Sequence, residues 1–291
     1  MKPAHRQYDQ SGLDRQFDIA AAVPRFDEHI AWFAAQSRLL RAASPRAALD
    51  VPYGVSAAET LDVFPADTPD PQPVQIFFHG GYWRQFSKDD FSFVAGTVNA
   101  AGGMAVVVDY ALVPSVSLGT LVRQCLDAVA WVAQNIERYG GDPERIFVSG
   151  HSAGGHLAAV ASTHDWSTHG LARDLVRGVV AISGLYDLEP VRSSNLNEVL
   201  RLTDADVDEL SPARRPSGRA PVVLAYGAEE TDEFRRQAAD FRRVRGEAGS
   251  TTALIELGGV DHMTAVIELG TSGSQIAQIM LEQMQLPPGA V

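Results

Sequence analysis

The segment Gly150-His151-Ser152-Ala153-Gly154 constrains this chain more than any other. The apolar run Ile146-Phe147-Val148-Ser149 leads into it, and Gly155-His156-Leu157-Ala158-Ala159-Val160 follows with the character of a helix. A G-x-S-x-G pattern alone can arise by chance in a Gly- and Ala-rich chain. Between a strand and a helix it means more: the sharp turn strains the central residue, small neighbours let the chain pass, and the hydroxyl projects at the sheet edge. The helix N-terminus behind it adds positive potential and free N–H groups. Ser152 is therefore a candidate nucleophile, and Ala153 N–H a candidate donor to an oxyanion.

The rest of the chain supplies the scaffold that such a turn needs. Residues 14–43 have helical spacing interrupted by Pro24, which predicts two helices. A short strand at 61–64 precedes a Pro-rich turn over 65–73. Short apolar runs at 74–78, 104–109, 145–149, 178–182, 222–226 and 252–257 then alternate with helical stretches at 117–138, 153–163, 234–246 and 263–285. The middle runs are almost continuously apolar, as parallel strands covered on both faces must be. The alternation predicts an α/β fold with a mostly parallel, doubly wound sheet, helices on both faces and a small N-terminal helical cap over about residues 10–45. The 291 residues fit a single domain, with 45% hydrophobic and 21% charged residues. In such sheets functional groups sit on loops at the carboxyl ends of strands.

Composition excludes several classes of function. The net charge is −12, so nucleic acid and anionic membrane surfaces are poor partners. No apolar run approaches the roughly 20 residues that cross a bilayer, and no secretory leader is visible. A soluble cytoplasmic protein is expected, with a homodimer possible. The single cysteine, Cys125, lies in an apolar-periodic stretch and reads as a buried core thiol. His151, His156, His164 and His169 cluster in sequence without carboxylates or cysteines at ligand spacing, so no metal site is expected. There is no dinucleotide fingerprint and no phosphate-binding loop, and no cofactor is expected.

Three further segments complete a chemistry for Ser152. His79-Gly80-Gly81-Tyr82-Trp83 follows the run Gln75-Ile76-Phe77-Phe78. Its glycines allow backbone N–H groups of Gly81 and Tyr82 to turn toward one point, opposite Ala153 N–H. Losing one oxyanion donor typically costs roughly 3–4 kcal/mol of transition-state stabilisation. His262 follows the last strand in a loop that opens a helix, where a base can reach back to Ser152. The acid should lie between them in sequence. After the strand at 222–226 come Glu229, Glu230, Asp232 and Glu233. Position favours Glu230, with Asp232 and Glu229 as competitors. The expected reaction is nucleophilic acyl transfer through an acyl-enzyme.

His79-Gly80-Gly81-Tyr82-Trp83, with Gly150-His151-Ser152-Ala153-Gly154-Gly155-His156, resembles the metal-independent kynurenine formamidases (arylformamidases) of the hormone-sensitive-lipase-like branch of α/β-hydrolases. The branch usually has three glycines after the histidine, and the Tyr-Trp replacement is the arylformamidase-like feature. Val108-Asp109-Tyr110-Ala111-Leu112-Val113-Pro114, Gly140-Gly141-Asp142-Pro143, Ser183-Gly184-Leu185-Tyr186-Asp187-Leu188 and Ser211-Pro212 agree with it, over roughly residues 8 to 280. The family's acid often lies in an acid-x-Pro-Glu-Phe segment. Glu230-Thr231-Asp232-Glu233-Phe234 matches that register, with Glu in place of the common Asp and Asp232 in place of proline. The resemblance implies an α/β-hydrolase fold and a small aromatic amide or ester substrate, such as N-formylkynurenine. It also implies a pocket at Gly80, Tyr82, Trp83 and His151, under the N-terminal helices. The alternatives are a carboxylesterase for small acyl esters and an inactive ligand-binding relative.

Overall fold

The computed structural model describes residues 8–69 and 71–287. Eight strands form one sheet: β1 Ala48–Pro52, β2 Thr60–Phe64, β3 Gln72–Phe78, β4 Met104–Val108, β5 Gly141–His151, β6 Val176–Ile182, β7 Val222–Gly227 and β8 Thr252–Leu257. Their order is β1-β2-β4-β3-β5-β6-β7-β8. β2 pairs antiparallel with β1 and β4, and all other pairs are parallel. β3 and β4 are buried along their whole length, which accounts for their unbroken apolar character. From β3 the chain winds outward to β4 on one side, and from β5 to β8 on the other. The crevice between the carboxyl ends of β3 and β5 is thus the topological switch point where such sheets bind ligands. Phe78 at the end of β3 pairs with Gly150 near the end of β5.

Several elements differ from the sequence expectation for physical reasons. The N-terminal segment forms three helices, Gln10–Phe17, Ile19–Ala22 and Phe26–Ala43. The added break falls at Asp18, whose carboxylate leaves the first helix and accepts from Ala21 N–H, capping the second. The Pro-rich turn ends earlier than expected because Pro73 lies inside β3. It sits where the β3–β5 register shifts between Gln72 and Val74, a place where a missing N–H is tolerated. β1, an edge strand with no buried residue, carries little apolar signal. The single helix expected over 263–285 is two, Thr264–Gly270 and Gln275–Gln283. They part at Gly270, where a Cβ would lie 2.7 Å from the Phe93 ring.

Cys125 is buried and free, and burial pushes its thiol well above the usual range, as a core residue. Among the described residues no helix is long and apolar enough to cross a membrane.

A charged cluster fixes the N-terminal cap to the sheet. Lys88, 2% exposed, places Nζ 2.6 Å from Asp50, 3.0 Å from Asp89 and 3.2 Å from the buried Asp62 on β2. Arg41, on the long cap helix, pairs with Asp62 and with Asp89. Burial disfavours the Lys88 charge, but Asp50, Asp62 and Asp89 outweigh it and hold its pKa above the ordinary value.

Candidate active site

β5 delivers Ser152 to the switch point. Ser152 has φ 57° and ψ −118°, outside the relaxed regions for a side-chain-bearing residue. Such strain costs about 1–3 kcal/mol and persists only where surrounding structure dictates it. Here Ser152 N–H donates to Ile182 O at 2.9 Å, and the helix Ala153–Thr163 packs against β5 and β6. The close approach requires glycine: a Cβ on Gly154 would lie 1.9 Å from Phe78 O. Ser152 lines a cavity of about 50 Å³ with Gly80, Gly81, Tyr82, His151 and His262.

The loop after β3 forms the second wall. His79 donates from Nδ1 to Gly80 O at 2.8 Å, and its ring stacks on Tyr110, whose hydroxyl donates to His79 O at 2.7 Å. Gly81 takes φ 108°, and a Cβ there would lie 2.3 Å from Gln85 O. That conformation lets Gly81 O accept from Arg84 and Gln85 N–H, closing a tight turn. Among the described residues the N–H groups of Gly81, Tyr82 and Ala153 have no acceptor. They are free to bind an anion beside Ser152.

Opposite stand an acid and a base. Glu230 is 5% exposed and accepts on Oε2 from His262 Nδ1 at 3.0 Å. Its other oxygen accepts from Gly227 N–H at 2.8 Å and from the Ser183 hydroxyl. A carboxylate so held keeps the proton of His262 on Nδ1 and leaves Nε2 bare as a base. The competitors are elsewhere: the Asp232 side chain is 63% exposed and pairs with Arg235, Glu229 is exposed, and Glu233 pairs with Arg236. Asp261 Oδ1 accepts from Met263 and Thr264 N–H, fixing the loop that carries His262. The Ser152 hydroxyl has no partner among the described residues and is free to turn to His262 or to a ligand. Catalytic hydrogen bonds often close only when substrate binds. Sequence gives no sign of these two contacts: that of Ser183 depends on the β6 and β7 ends meeting, and that of Gly227 on the tight turn that carries Glu230.

His151 and Trp83 have distinct places. His151 donates from Nε2 to His262 O at 2.8 Å, so its Nδ1 is a bare acceptor, buried and unpartnered. Burial, with the field of His262 adding to it, holds His151 well below the usual histidine range. Trp83, expected in the pocket wall, is instead fully buried and absent from the cavity lining. Its indole N–H needs an acceptor once buried and finds His156 Nδ1 at 3.3 Å. The cap supplies Ile19, Phe26 and Phe33 to the cavity. It is tied down by Tyr82, whose hydroxyl donates to Phe17 O at 2.8 Å, and by Thr231, whose hydroxyl donates to Gln16 O at 2.7 Å.

The buried histidines make stability pH-dependent. Burial pulls His156 down to about 4, only partly opposed by its hydrogen bond to Leu210 O. An unfolded histidine titrates near 6.5, so as pH falls below that value the unfolded chain takes up a proton that the folded chain refuses. Stability is full above pH 6.5 and is lost toward pH 4, by roughly 2 kcal/mol at pH 5 from His156 alone. Urea midpoints at pH 7 and pH 5 should show this drop, and His156→Gln should show a shallower one. A flat profile would contradict the buried neutral ring.

A strained serine between strand and helix, with unoccupied N–H groups and a buried acid–histidine pair at one switch point, defines the α/β-hydrolase class of enzymes. The chain belongs to that family: the family described as alpha/beta hydrolase fold matches residues 75–266. It is 30% identical over 243 residues to the kynurenine formamidase of Danio rerio, covering 81% of each chain. It is 31% identical over 244 residues to that of Salmo salar, again over 81% of each. Among solved structures, a putative thioesterase from Silicibacter sp. superposes with TM-score 0.81 at 26% identity, covering 92% of this chain and 98% of that one. The protein is a hydrolase.

Proposed function

We propose that Ser152, His262 and Glu230 form a catalytic triad that hydrolyses a small aryl formamide, with N-formylkynurenine as the substrate. The observation that carries the chemistry is the Glu230–His262 pair at 3.0 Å, whose histidine lines the same cavity as Ser152. His262 Nε2 takes the Ser152 proton as Oγ attacks the formyl carbon. Gly81, Tyr82 and Ala153 N–H groups receive the developing oxyanion. Collapse expels the arylamine, which takes the proton back from His262. Water, activated by His262, then releases formate from the formyl-enzyme.

The size of the cavity supports a small acyl group. About 50 Å³ beside Ser152 holds only a few waters, which suits a formyl or acetyl group there. Similarity to two kynurenine formamidases over four-fifths of the chain supports formyl. Steady-state kinetics test this with N-formylkynurenine and p-nitrophenyl acetate side by side. A kcat/KM that favours the formamide, and falls at least about 10³-fold in Ser152→Ala, is expected. Efficient ester cleavage with negligible formamide turnover would leave the triad standing and make the enzyme a carboxylesterase. Failure of a covalent serine-hydrolase probe to label Ser152 would sink the triad itself.

A further inference from the structure

Arg84 follows the oxyanion-loop residues by two positions, yet neither the fold nor the proposed chemistry uses its side chain. Among the described residues the guanidinium makes no hydrogen bond and no ion pair, and its Nε is shut off from water without a partner. That is unusual in a chain with 36 acidic and 24 basic residues, where most partly buried arginines are paired. Arg41, Arg192 and Arg236, each partly buried, all hold carboxylates. Arg84 lines a cleft of about 480 Å³ between the N-terminal cap and the segment around Leu196. Ile19, Phe26, Tyr82 and Gln85 line both this cleft and the cavity of Ser152, so the two spaces share walls. Burial, then Glu230 and Asp18, raise the pKa of the Tyr82 phenol, and the Arg84 charge opposes them, which places Arg84 near the common wall.

We infer that Arg84 is the anchor for a carboxylate on the far arm of the substrate, held in the outer cleft while the acyl group occupies the cavity at Ser152. A planar guanidinium with free donors suits a carboxylate and binds it with two parallel hydrogen bonds. Two of the cleft's acids are turned to other donors. Asp14 accepts from Gln10 and from Asn195 N–H, and Asp18 caps its helix. Glu198, exposed and without a partner among the described residues, lines the same cleft and offers a site to an ammonium on that arm. The charges therefore match an aryl substrate bearing an amino-acid side arm. This rests on Ser152 being the nucleophile, not on the scissile bond being a formamide.

The test compares matched substrates in Arg84→Gln and Arg84→Lys. One pair is formanilide and N-formylkynurenine; the other is phenyl acetate and an aryl acetate with a carboxyethyl arm. Arg84→Gln is expected to raise KM about 10-fold or more for the carboxylate-bearing member of each cleaved pair. Its kcat should stay within about two-fold, and the neutral member should be unaffected. Arg84→Lys should recover part of the loss. Equal effects on charged and neutral substrates, or none, would overturn the assignment. If only the esters are cleaved, the formamide reading fails while the ester pair still decides Arg84. Thermal melting of both variants separates misfolding from lost binding.

Discussion

Glu230→Gln should lower kcat/KM by about 10³- to 10⁴-fold, while Asp232→Asn leaves it within about two-fold. The reason lies in the tautomer of His262. Glu230 Oε2 accepts from Nδ1, and its other oxygen is held by Gly227 N–H and the Ser183 hydroxyl. The first contact demands a proton on Nδ1 and leaves Nε2 free to take one from Ser152. A glutamine in this place can present its amide N–H to Nδ1. The imidazole then carries its proton on Nε2, facing the serine it should deprotonate, and the imidazolium of the transition state loses its counter-charge. Asp232 pairs with Arg235 at the surface, and an exposed pair contributes about 0–1 kcal/mol. Kinetics of both variants with either substrate class decide the matter. A larger loss in Asp232→Asn would remove Glu230 from the triad.

The candidate site was legible where a residue's role depends on its neighbours in sequence. Ser152 lies in a turn whose geometry requires glycines on both sides, so the pattern and the strand before it were enough. His262 follows the last strand of an alternating chain, and Glu230 holds a defined register in the loop after β7, so both could be placed at the strand ends near Ser152. What stayed hidden depends on distant elements meeting. Ser183 reaches Glu230 only because β6 and β7 are neighbours. Trp83 reads as a pocket residue from its place beside Tyr82, but its indole N–H turns inward to His156 on the helix after Ser152. Two adjacent aromatics in one loop thus part: Tyr82 lines the cavity and Trp83 joins the core. β1 leaves no mark in the sequence, because an exposed edge strand carries no apolar run. Arg84 gives no signal in sequence at all; its lack of a partner is visible only once the cap and the outer cleft are in place.

Gly154→Ala should destabilise the protein by more than about 4 kcal/mol, beyond the ordinary range for one methyl group. The added Cβ would stand 1.9 Å from Phe78 O, 2.5 Å from Phe78 C and 2.6 Å from His79 O. All three are backbone atoms at or just past the end of a fully buried strand, so none can swing away as a side chain would. The helix Ala153–Thr163 must lift from the sheet, which breaks its packing on β5 and β6 and releases the strain held at Ser152. Gly246 provides the control. It lies in the helix Asp232–Glu247 with nothing within 4 Å of its would-be Cβ, and Gly246→Ala should stabilise by about 0.5–1 kcal/mol through helix propensity. Urea denaturation of the two variants measures both. A mild loss in Gly154→Ala would mean that the helix can retreat without unfolding. Activity must then fall regardless, because Ala153 N–H and the Ser152 hydroxyl move with the helix, away from the fixed N–H groups of Gly81 and Tyr82. The same close approach that makes the turn costly to perturb aligns Ser152 with the N–H groups proposed to hold its oxyanion, so no substitution at Gly154 should preserve one and lose the other.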